Sequence, residues 1–426
     1  MGARGRKKVG SVHTWRRTID TRPTRHNCTA AHSASFPVRS VTAIRVNELA
    51  SAQPLLGGRT PAGFMSQYWQ KKPLLIRHAC PSIEDRLSRD RLIALACCDE
   101  VESRLVIRER GHFSLATGPF SRSTFRRLPT SGWTLLVQGV NRVDAAVDTL
   151  LRSFAFVPYA RLDDVMVSYA TPGSGVGAHV DSYDVFLLQG SGRRRWRYGK
   201  QKDLTLVEHI ELKILRRFSP RHDAVLAAGD MLYLPPHIAH EGTAVDTCVT
   251  YSIGFRAPTY EEIAQAFIDF LRDDVRLPSG QYADPDAKPS RSPARIDSAM
   301  LQRVSAALAR IRWNARDVGR FLGCFLSEPK PVIRFSPPPA PMGKSTFAAK
   351  VASCGLALDR ATQLLYDDGS FYINGEAVTF RSAGTAMLRR LANRRALSAR
   401  ECRSLAAPLA ALLYEWYRYG FVHLSA

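Results

Sequence analysis

The run Tyr169-Ala170-Thr171-Pro172-Gly173-Ser174-Gly175-Val176-Gly177-Ala178-His179-Val180-Asp181-Ser182-Tyr183-Asp184-Val185-Phe186-Leu187-Leu188 decides the fold. A glycine-rich turn delivers the chain into a β-prone segment that carries His179 and Asp181 two residues apart. Side chains alternate along a strand, so the two face one side with Cα atoms about 7 Å apart. An imidazole and a carboxylate so placed suit a divalent first-row metal, and a third ligand would complete a two-histidine, one-carboxylate face. That ligand is expected from a distant strand. Gly229-Asp230-Met231-Leu232-Tyr233-Leu234-Pro235-Pro236-His237-Ile238-Ala239-His240-Glu241-Gly242 offers His237 and His240. His-x-Asp alone is weak, because incidental surface histidines are common. The later Gly-Asp-strand-Pro-Pro-x-x-x-His run makes the pair specific, and three ligands on one face leave positions for an oxo-acid and dioxygen.

Working outward, residues 101–255 hold short β-prone runs broken by Gly, Pro and Asp: 103–107, 133–138, 165–169, 178–188, 194–198, 231–234 and 248–255. That texture predicts an antiparallel sandwich or barrel. Before it, Phe64-Met65-Ser66-Gln67-Tyr68-Trp69 opens the fold, a short strand follows at 74–77, and 86–98 reads as a helix. After Pro258 the pattern turns helical, over 260–271 and 296–325, with wide apolar stripes (Phe267, Phe270, Leu271; Leu301, Val304, Leu308, Ile311). Such stripes are core or a shared two-fold interface. Five prolines at 331, 337, 338, 339 and 341 mark a linker. Beyond it, Asn374-Gly375 signals a hairpin and 385–397 and 399–418 read as helices, the pattern of a winged-helix module. Met342-Gly343-Lys344-Ser345-Thr346 is no phosphate loop, since Pro338 stands where its first glycine belongs.

A dicarboxylate bound to the metal needs a cation for its far end, and an arginine fork matches best. Gln189-Gly190-Ser191-Gly192-Arg193-Arg194-Arg195-Trp196-Arg197 supplies several. Strand parity from His179 favours Arg193 or Arg195, but the Gly190–Gly192 turn interrupts the count and leaves the choice open.

These residues, with Asp163-Asp164 and Tyr251-Ser252-Ile253-Gly254-Phe255-Arg256-Ala257-Pro258, resemble the bacterial ribosomal oxygenases of the JmjC (cupin) class. The resemblance runs over about residues 55–426. It implies a mixed α and β chain: a double-stranded β-helix, a helical dimerisation segment and a C-terminal winged helix. The corresponding boundaries are 1–50 for a basic extension, 51–257 for the catalytic domain, 258–330 for the helices, 331–341 for the linker and 342–426 for the last module. It implies iron(II), with 2-oxoglutarate and dioxygen as co-substrates, and hydroxylation of an arginine β-carbon in a large-subunit ribosomal protein. It places the metal ligands, which are also the catalytic residues, on His179, Asp181 and His240, and leaves His237 without that role. The co-substrate arginine falls on Arg194, and a hydroxyl that helps hold the co-substrate falls on Ser168. Thr250 stands where relatives can carry an amide, which puts a polar role there in doubt. A homodimer through the helical region is also implied. An acid must meet a guanidinium substrate, and Asp184 and Glu241 lie near the ligands in sequence.

The chain has 426 residues, long enough for two or three domains, and 45% are hydrophobic. No run approaches the roughly 18 apolar residues of a membrane span. Sixty Lys+Arg against 38 Asp+Glu give a net charge of +22, which favours a polyanionic partner such as ribosomal RNA. Arg389, Arg390, Arg394 and Arg395 cluster on one predicted helix, as an RNA contact or a solvated face. The eight cysteines form no Cys-x-x-Cys pair and several sit in apolar runs, as expected of a cytoplasmic protein. Residues 1–40 hold nine Lys/Arg and only Asp20 as an acid, reading as a disordered tail, an upstream start or an organelle transit peptide. Two rival readings stand beside the hydroxylase: a lysine demethylase using the same iron chemistry, and a non-catalytic basic cupin scaffold that binds ribosomal RNA.

Overall fold

The computed structural model describes residues 54–81, 83, 87–274 and 278–425. The expectations for the basic N-terminal extension lie outside these residues. The strands of the first half are β1 (Leu74–Ile76), β2 (Ser103–Glu109), β3 (His112–Thr117), β4 (Trp133–Val137), β5 (Leu162–Ala170), β6 (His179–Val180), β7 (Val185–Ser191), β8 (Arg194–Gly199), β9 (His222–Leu226), β10 (Met231–Leu234), β11 (Ala239–Ala244) and β12 (Cys248–Phe255). They form a large sheet in the order β1-β10-β7-β12-β5-β4-β2-β3 and a small sheet in the order β6-β11-β8-β9.

The two sheets face each other. Val185, Leu187, Leu232 and Leu234 of the large sheet pack with Trp196, Tyr198 and Leu226 of the small one. The other face of the large sheet is covered by α1 (Pro61–Gln67), α2 (Arg89–Ala96), α3 (Arg122–Arg126) and α4 (Ala145–Arg152). Phe64 of α1 is fully buried there, with ring centroids 5.0 Å from Tyr233 and 5.5 Å from Phe186. Burying one such ring stabilises the fold by about 1.5–3 kcal/mol. Sheet-face coverage on both sides explains why β7 reads as an unbroken apolar run rather than an alternating one. Thr60 starts α1 by accepting a hydrogen bond from the Gly63 N–H (3.0 Å), and Asp144 does the same for α4.

The segment 178–188, expected as one strand, is two strands in different sheets. The break falls at Asp181–Asp184, where the buried Asp184 carboxylate accepts hydrogen bonds from the Tyr233 hydroxyl (2.6 Å) and the Gln70 amide (2.9 Å). The His237 N–H donates to the Asp181 carbonyl (2.8 Å), tying the Pro-Pro turn to the end of β6. The preceding glycine-rich turn is stitched to β11: Gly173 N–H donates to Ala244 O and Ala244 N–H to Ser174 O, both at 2.9 Å. Gly177 has φ +83° and lies against Ile214, so no side chain fits there.

After the barrel come α5 (Tyr260–Asp274), α6 (Ser298–Leu308) and α7 (Ala315–Ser327). The last part holds α8 (Lys344–Cys354), β13 (Leu356–Leu358), β14 (Leu364–Tyr366), β15 (Phe371–Ile373), β16 (Glu376–Val378), α9 (Thr385–Arg394), β17 (Ala396–Leu397), α10 (Ala399–Cys402), α11 (Ala407–Arg418) and β18 (Val422–Leu424). Two three-stranded sheets, β17-β13-β18 and β14-β15-β16, flank its core. Asn374 (φ 50°) and Gly375 (φ 91°) make the turn between β15 and β16, as Asn-Gly predicts. The helix expected over 399–418 is broken in two, because Pro408 suits only the first turn of a new helix. This part meets the barrel where the Tyr159 hydroxyl donates to Asn393 O (3.1 Å), and the end of α7 does so where the Arg256 guanidinium donates to Leu326 O (2.8 Å). Among the described residues, no helix is long and apolar enough to cross a membrane.

Candidate active site

The small sheet brings two histidines face to face. His240 of β11 is the direct cross-strand partner of His179 on β6, with ring centroids 4.2 Å apart. Asp181, just past β6, places Oδ2 3.6 Å from His240 Nε2 and 4.0 Å from His179 Nε2. One ligand atom from each of the three lies within 4.8 Å of the others. His179 Nδ1 meets Gly177 O at 3.0 Å and His240 Nδ1 meets Ile238 O at 2.9 Å. A carbonyl on Nδ1 keeps the proton there and turns the Nε2 lone pair toward Asp181, the arrangement a metal-binding histidine needs. Burial, reinforced by the neighbouring His179, pushes the His240 imidazole down to about 4, so it stays neutral. Burial and the Asp181 carboxylate push the Tyr183 phenol upward, so its O–H is retained. His237 has φ 64° and contributes no atom to this cluster.

A second group faces the same interior. Along β8 and β11, Arg194, Trp196 and Tyr198 lie opposite Ala244, Gly242 and His240. Arg194 is 3% exposed, and its Nη1 donates to Ser168 Oγ (3.0 Å) and Thr250 Oγ1 (3.3 Å). Its Nη2 donates to Gly242 O (3.3 Å), while its Nε has no partner. No carboxylate among the described residues lies within ion-pair distance of it. Desolvation pushes its pKa down, and a buried cation without a counter-charge is costly. The site therefore fits a ligand that brings a carboxylate to Arg194 and oxygen donors to the triad. Gly242 is required by this packing: a Cβ there would lie 2.7 Å from Arg194 Nε and from two ring carbons of Trp196.

Thr250, whose polar role the sequence left in doubt, is part of this wall. Its hydroxyl accepts from Arg194 and donates to Gln189 Oε1 (3.0 Å). Its cross-strand partner is Ser168, so alternation on β12 and β5 was the signal that could have found it.

Comparison with known proteins agrees with this geometry. The JmjC domain family matches residues 149–263, and a ROXA-like winged helix matches 310–423. The ribosomal protein uL16 3-hydroxylase of Escherichia coli K12 is 35% identical over 279 residues, 65% of this chain and 74% of the relative. The chain belongs to the JmjC ribosomal oxygenases. A probable ribosomal oxygenase of Haemophilus influenzae is 39% identical over 209 residues, 48% of this chain and 51% of its own. The solved E. coli ribosomal oxygenase YcfD in complex with cobalt and 2-oxoglutarate matches with a TM-score of 0.73 and 31% identity, covering 85% of this chain and 97% of YcfD. A mixed α and β oxygenase with a C-terminal winged helix, as the sequence implied, is what the fold and these relatives give.

The two acids singled out near the ligands do not face this oxygenase's cavity. Asp184 is enclosed by Tyr233 and Gln70 against the outer layer of the large sheet. Glu241 alternates with the inward His240, so it points outward and pairs with Arg197. The interior carboxylate is Asp164, 3% exposed and on the same face of β5 as Ser168. It accepts from the Gln138 amide (2.8 Å) and pairs with the Lys330 ammonium (3.1 Å). Lys330 also reaches Asp163 (2.8 Å), and the two carboxylates raise its pKa against the effect of burial.

Proposed function

We propose that this chain is an iron(II)- and 2-oxoglutarate-dependent hydroxylase of a large-subunit ribosomal protein, with an arginine β-carbon as its target. The observation that carries the co-substrate is Arg194, a buried cation with no acid of its own on the wall that also bears His240. Four residue steps lead from Arg194 to Tyr198, the partner of His240, which is about 13 Å of backbone at roughly 3.3 Å per step. The two side chains span part of that distance and a five-carbon dicarboxylate spans the rest. The ribosomal-protein target follows the uL16 3-hydroxylase relative, and arginine as the target residue follows the family resemblance of the sequence.

Iron(II), with 2-oxoglutarate and dioxygen, supplies the oxidation that places one oxygen atom on a C–H carbon and leaves succinate and carbon dioxide. His179, Asp181 and His240 hold the metal from one side. Arg194, with the Ser168 and Thr250 hydroxyls, fixes the far carboxylate and so the direction of the near one. Val185, Leu187 and Leu232 pack with Trp196 and Tyr198 and fix the strand that carries Arg194.

The same proposal takes the domain boundaries as 51–257 for catalysis, 258–330 for dimerisation, 331–341 for the linker and 342–426 for the winged helix. A homodimer is supported by apolar side chains that α5–α7 and their connections leave exposed, among them Ile268, Leu301, Leu308 and Trp313. Contact with ribosomal RNA is supported by the net charge of +22, and a cytoplasmic setting by the ribosomal substrate of the relative.

The test is incubation of iron-loaded protein with 2-oxoglutarate and unmodified ribosomal proteins, followed by peptide mass mapping. Gain of one oxygen atom on a single arginine, abolished in His179→Ala and Arg194→Ala, is expected. Gain on histidine overturns the target residue, and formaldehyde release without stable gain points to demethylation. No modification and no succinate from folded, iron-bound protein, with salt-sensitive RNA binding retained, favours the scaffold.

A further inference from the structure

Trp196 lies between the two halves of the site. It sits on β8 between Arg194 and Tyr198, directly opposite Gly242. Its ring is 5.1 Å from the Arg194 guanidinium carbon and 6.0 Å, centroid to centroid, from the His240 imidazole. Because Gly242 has no Cβ, the far end of the indole can approach β11 closely. The ring is therefore near both the arginine and the histidine ends of the site.

The residue is 4% exposed, and its indole N–H is sealed from solvent with no hydrogen-bond partner. Buried donors are almost always satisfied, because leaving one unmade forfeits its hydration without return. Trp133, equally buried, follows that rule: its Nε1 donates to Pro129 O at 2.8 Å. A purely apolar role for Trp196, packing with Val185, Leu187 and Leu226, would be served by phenylalanine and leaves the N–H unexplained. Arg194 Nε, on the next inward residue of the same strand, is also without a partner. Two orphaned N–H groups on one wall call for an acceptor with several lone pairs, and a carboxylate is that acceptor.

We infer that Trp196 is a positioning residue for the acidic co-substrate, donating its indole N–H to a carboxylate oxygen of the dicarboxylate that Arg194 holds. The inference rests on the co-substrate reading above. Trp196 thereby supplies direction where Arg194 supplies charge, since a neutral donor at a fixed edge favours one placement of the carbon chain.

The test uses full-length protein loaded with zinc, which does not turn over, titrated with 2-oxoglutarate by calorimetry and by nitrogen-15 spectra of the indole N–H groups. The Trp196 signal is the one missing from Trp196→Phe, and manganese in place of zinc marks it independently by broadening if that variant does not fold. On addition of 2-oxoglutarate, the Trp196 N–H resonance of the unaltered protein moves downfield and exchanges more slowly with solvent. Trp196→Phe binds 2-oxoglutarate about tenfold more weakly, the size expected of one buried hydrogen bond to a charged acceptor, with zinc affinity unchanged. An unmoved resonance, with Trp196→Phe binding at full strength and Arg194→Ala binding lost, overturns this role and leaves the co-substrate reading standing. Absence of 2-oxoglutarate binding to the unaltered protein overturns both.

Discussion

The arginines of one strand divide by face. On the outer face of the small sheet, Arg195 and Arg197 meet Asp223 and Glu241, and Arg193, just before β8, meets Asp246. On the inner face Arg194 meets two hydroxyls and a carbonyl and no acid. The outer side chains are 42–58% exposed, where water and salt already screen them. The inner one is 3% exposed, where an absent counter-charge is felt fully. On this strand the outer charges are paired with acids, and the inner charge, without one, faces the metal ligands.

Several substitutions would sharpen or break this contrast. The largest effect belongs to the triad: Asp181→Ala should lower metal affinity by about 100-fold or more, since even partners behind the ligands are worth 10–100-fold. Equilibrium dialysis with iron or cobalt reads this, and retained metal would remove Asp181 from the site. Next is Gly242→Ala, whose new Cβ meets Arg194 Nε and Trp196 at 2.7 Å. Overpacking of this kind costs about 1–3 kcal/mol, so thermal unfolding should shift down and 2-oxoglutarate affinity should fall with it. Unchanged affinity would show that Arg194 needs no such close support. Thr250→Val keeps the shape but removes the hydroxyl between Arg194 and Gln189. Loss of about 1 kcal/mol should raise the 2-oxoglutarate Kd roughly fivefold, with Thr250→Ser restoring most of it.

The smallest effect lies outside. The hydrogen bond from Arg195 holds the Asp223 carboxyl below the ordinary carboxylate range. A carboxyl depressed in the fold adds stability above its unfolded pKa, and that contribution disappears as pH falls through the lowered value. In Arg195→Ala, carbon-13 titration should return Asp223 toward the ordinary range while turnover at neutral pH stays at the level of the unaltered protein. A large loss of turnover would give the outer face a role this division denies it.

His179 and Asp181 were legible from their spacing on one strand, and the Pro-Pro turn marked His237 and His240 as the candidates for a third ligand; resemblance chose His240, and the structure groups it with the other two. The choice among the arginines was not legible. Parity from His179 favoured Arg193 or Arg195, but β6 and β8 are separated by β7, which crosses into the other sheet. Counting from His240 across β11 onto β8 places Arg194 inward, a register that residue spacing cannot supply; resemblance supplied it instead. Asp184 failed for the opposite reason: three residues from Asp181 in sequence, it turns through the sheet into the outer layer. Strands β3 and β9 escaped notice because their exposed or mixed burial patterns lack a strong apolar run.

The central claim is that Arg194, alone among its neighbours on β8, is held open for the co-substrate. Calorimetric titration of 2-oxoglutarate into metal-loaded protein, compared across Arg194→Gln and Arg195→Gln, tests it most directly. Removing a buried charge from its carboxylate costs about 2–5 kcal/mol, so Arg194→Gln should bind at least 30-fold more weakly, a factor set by about 1.4 kcal/mol per tenfold. Arg195→Gln should bind as the unaltered protein does. Equal losses in the two variants, or none in Arg194→Gln, would contradict the account.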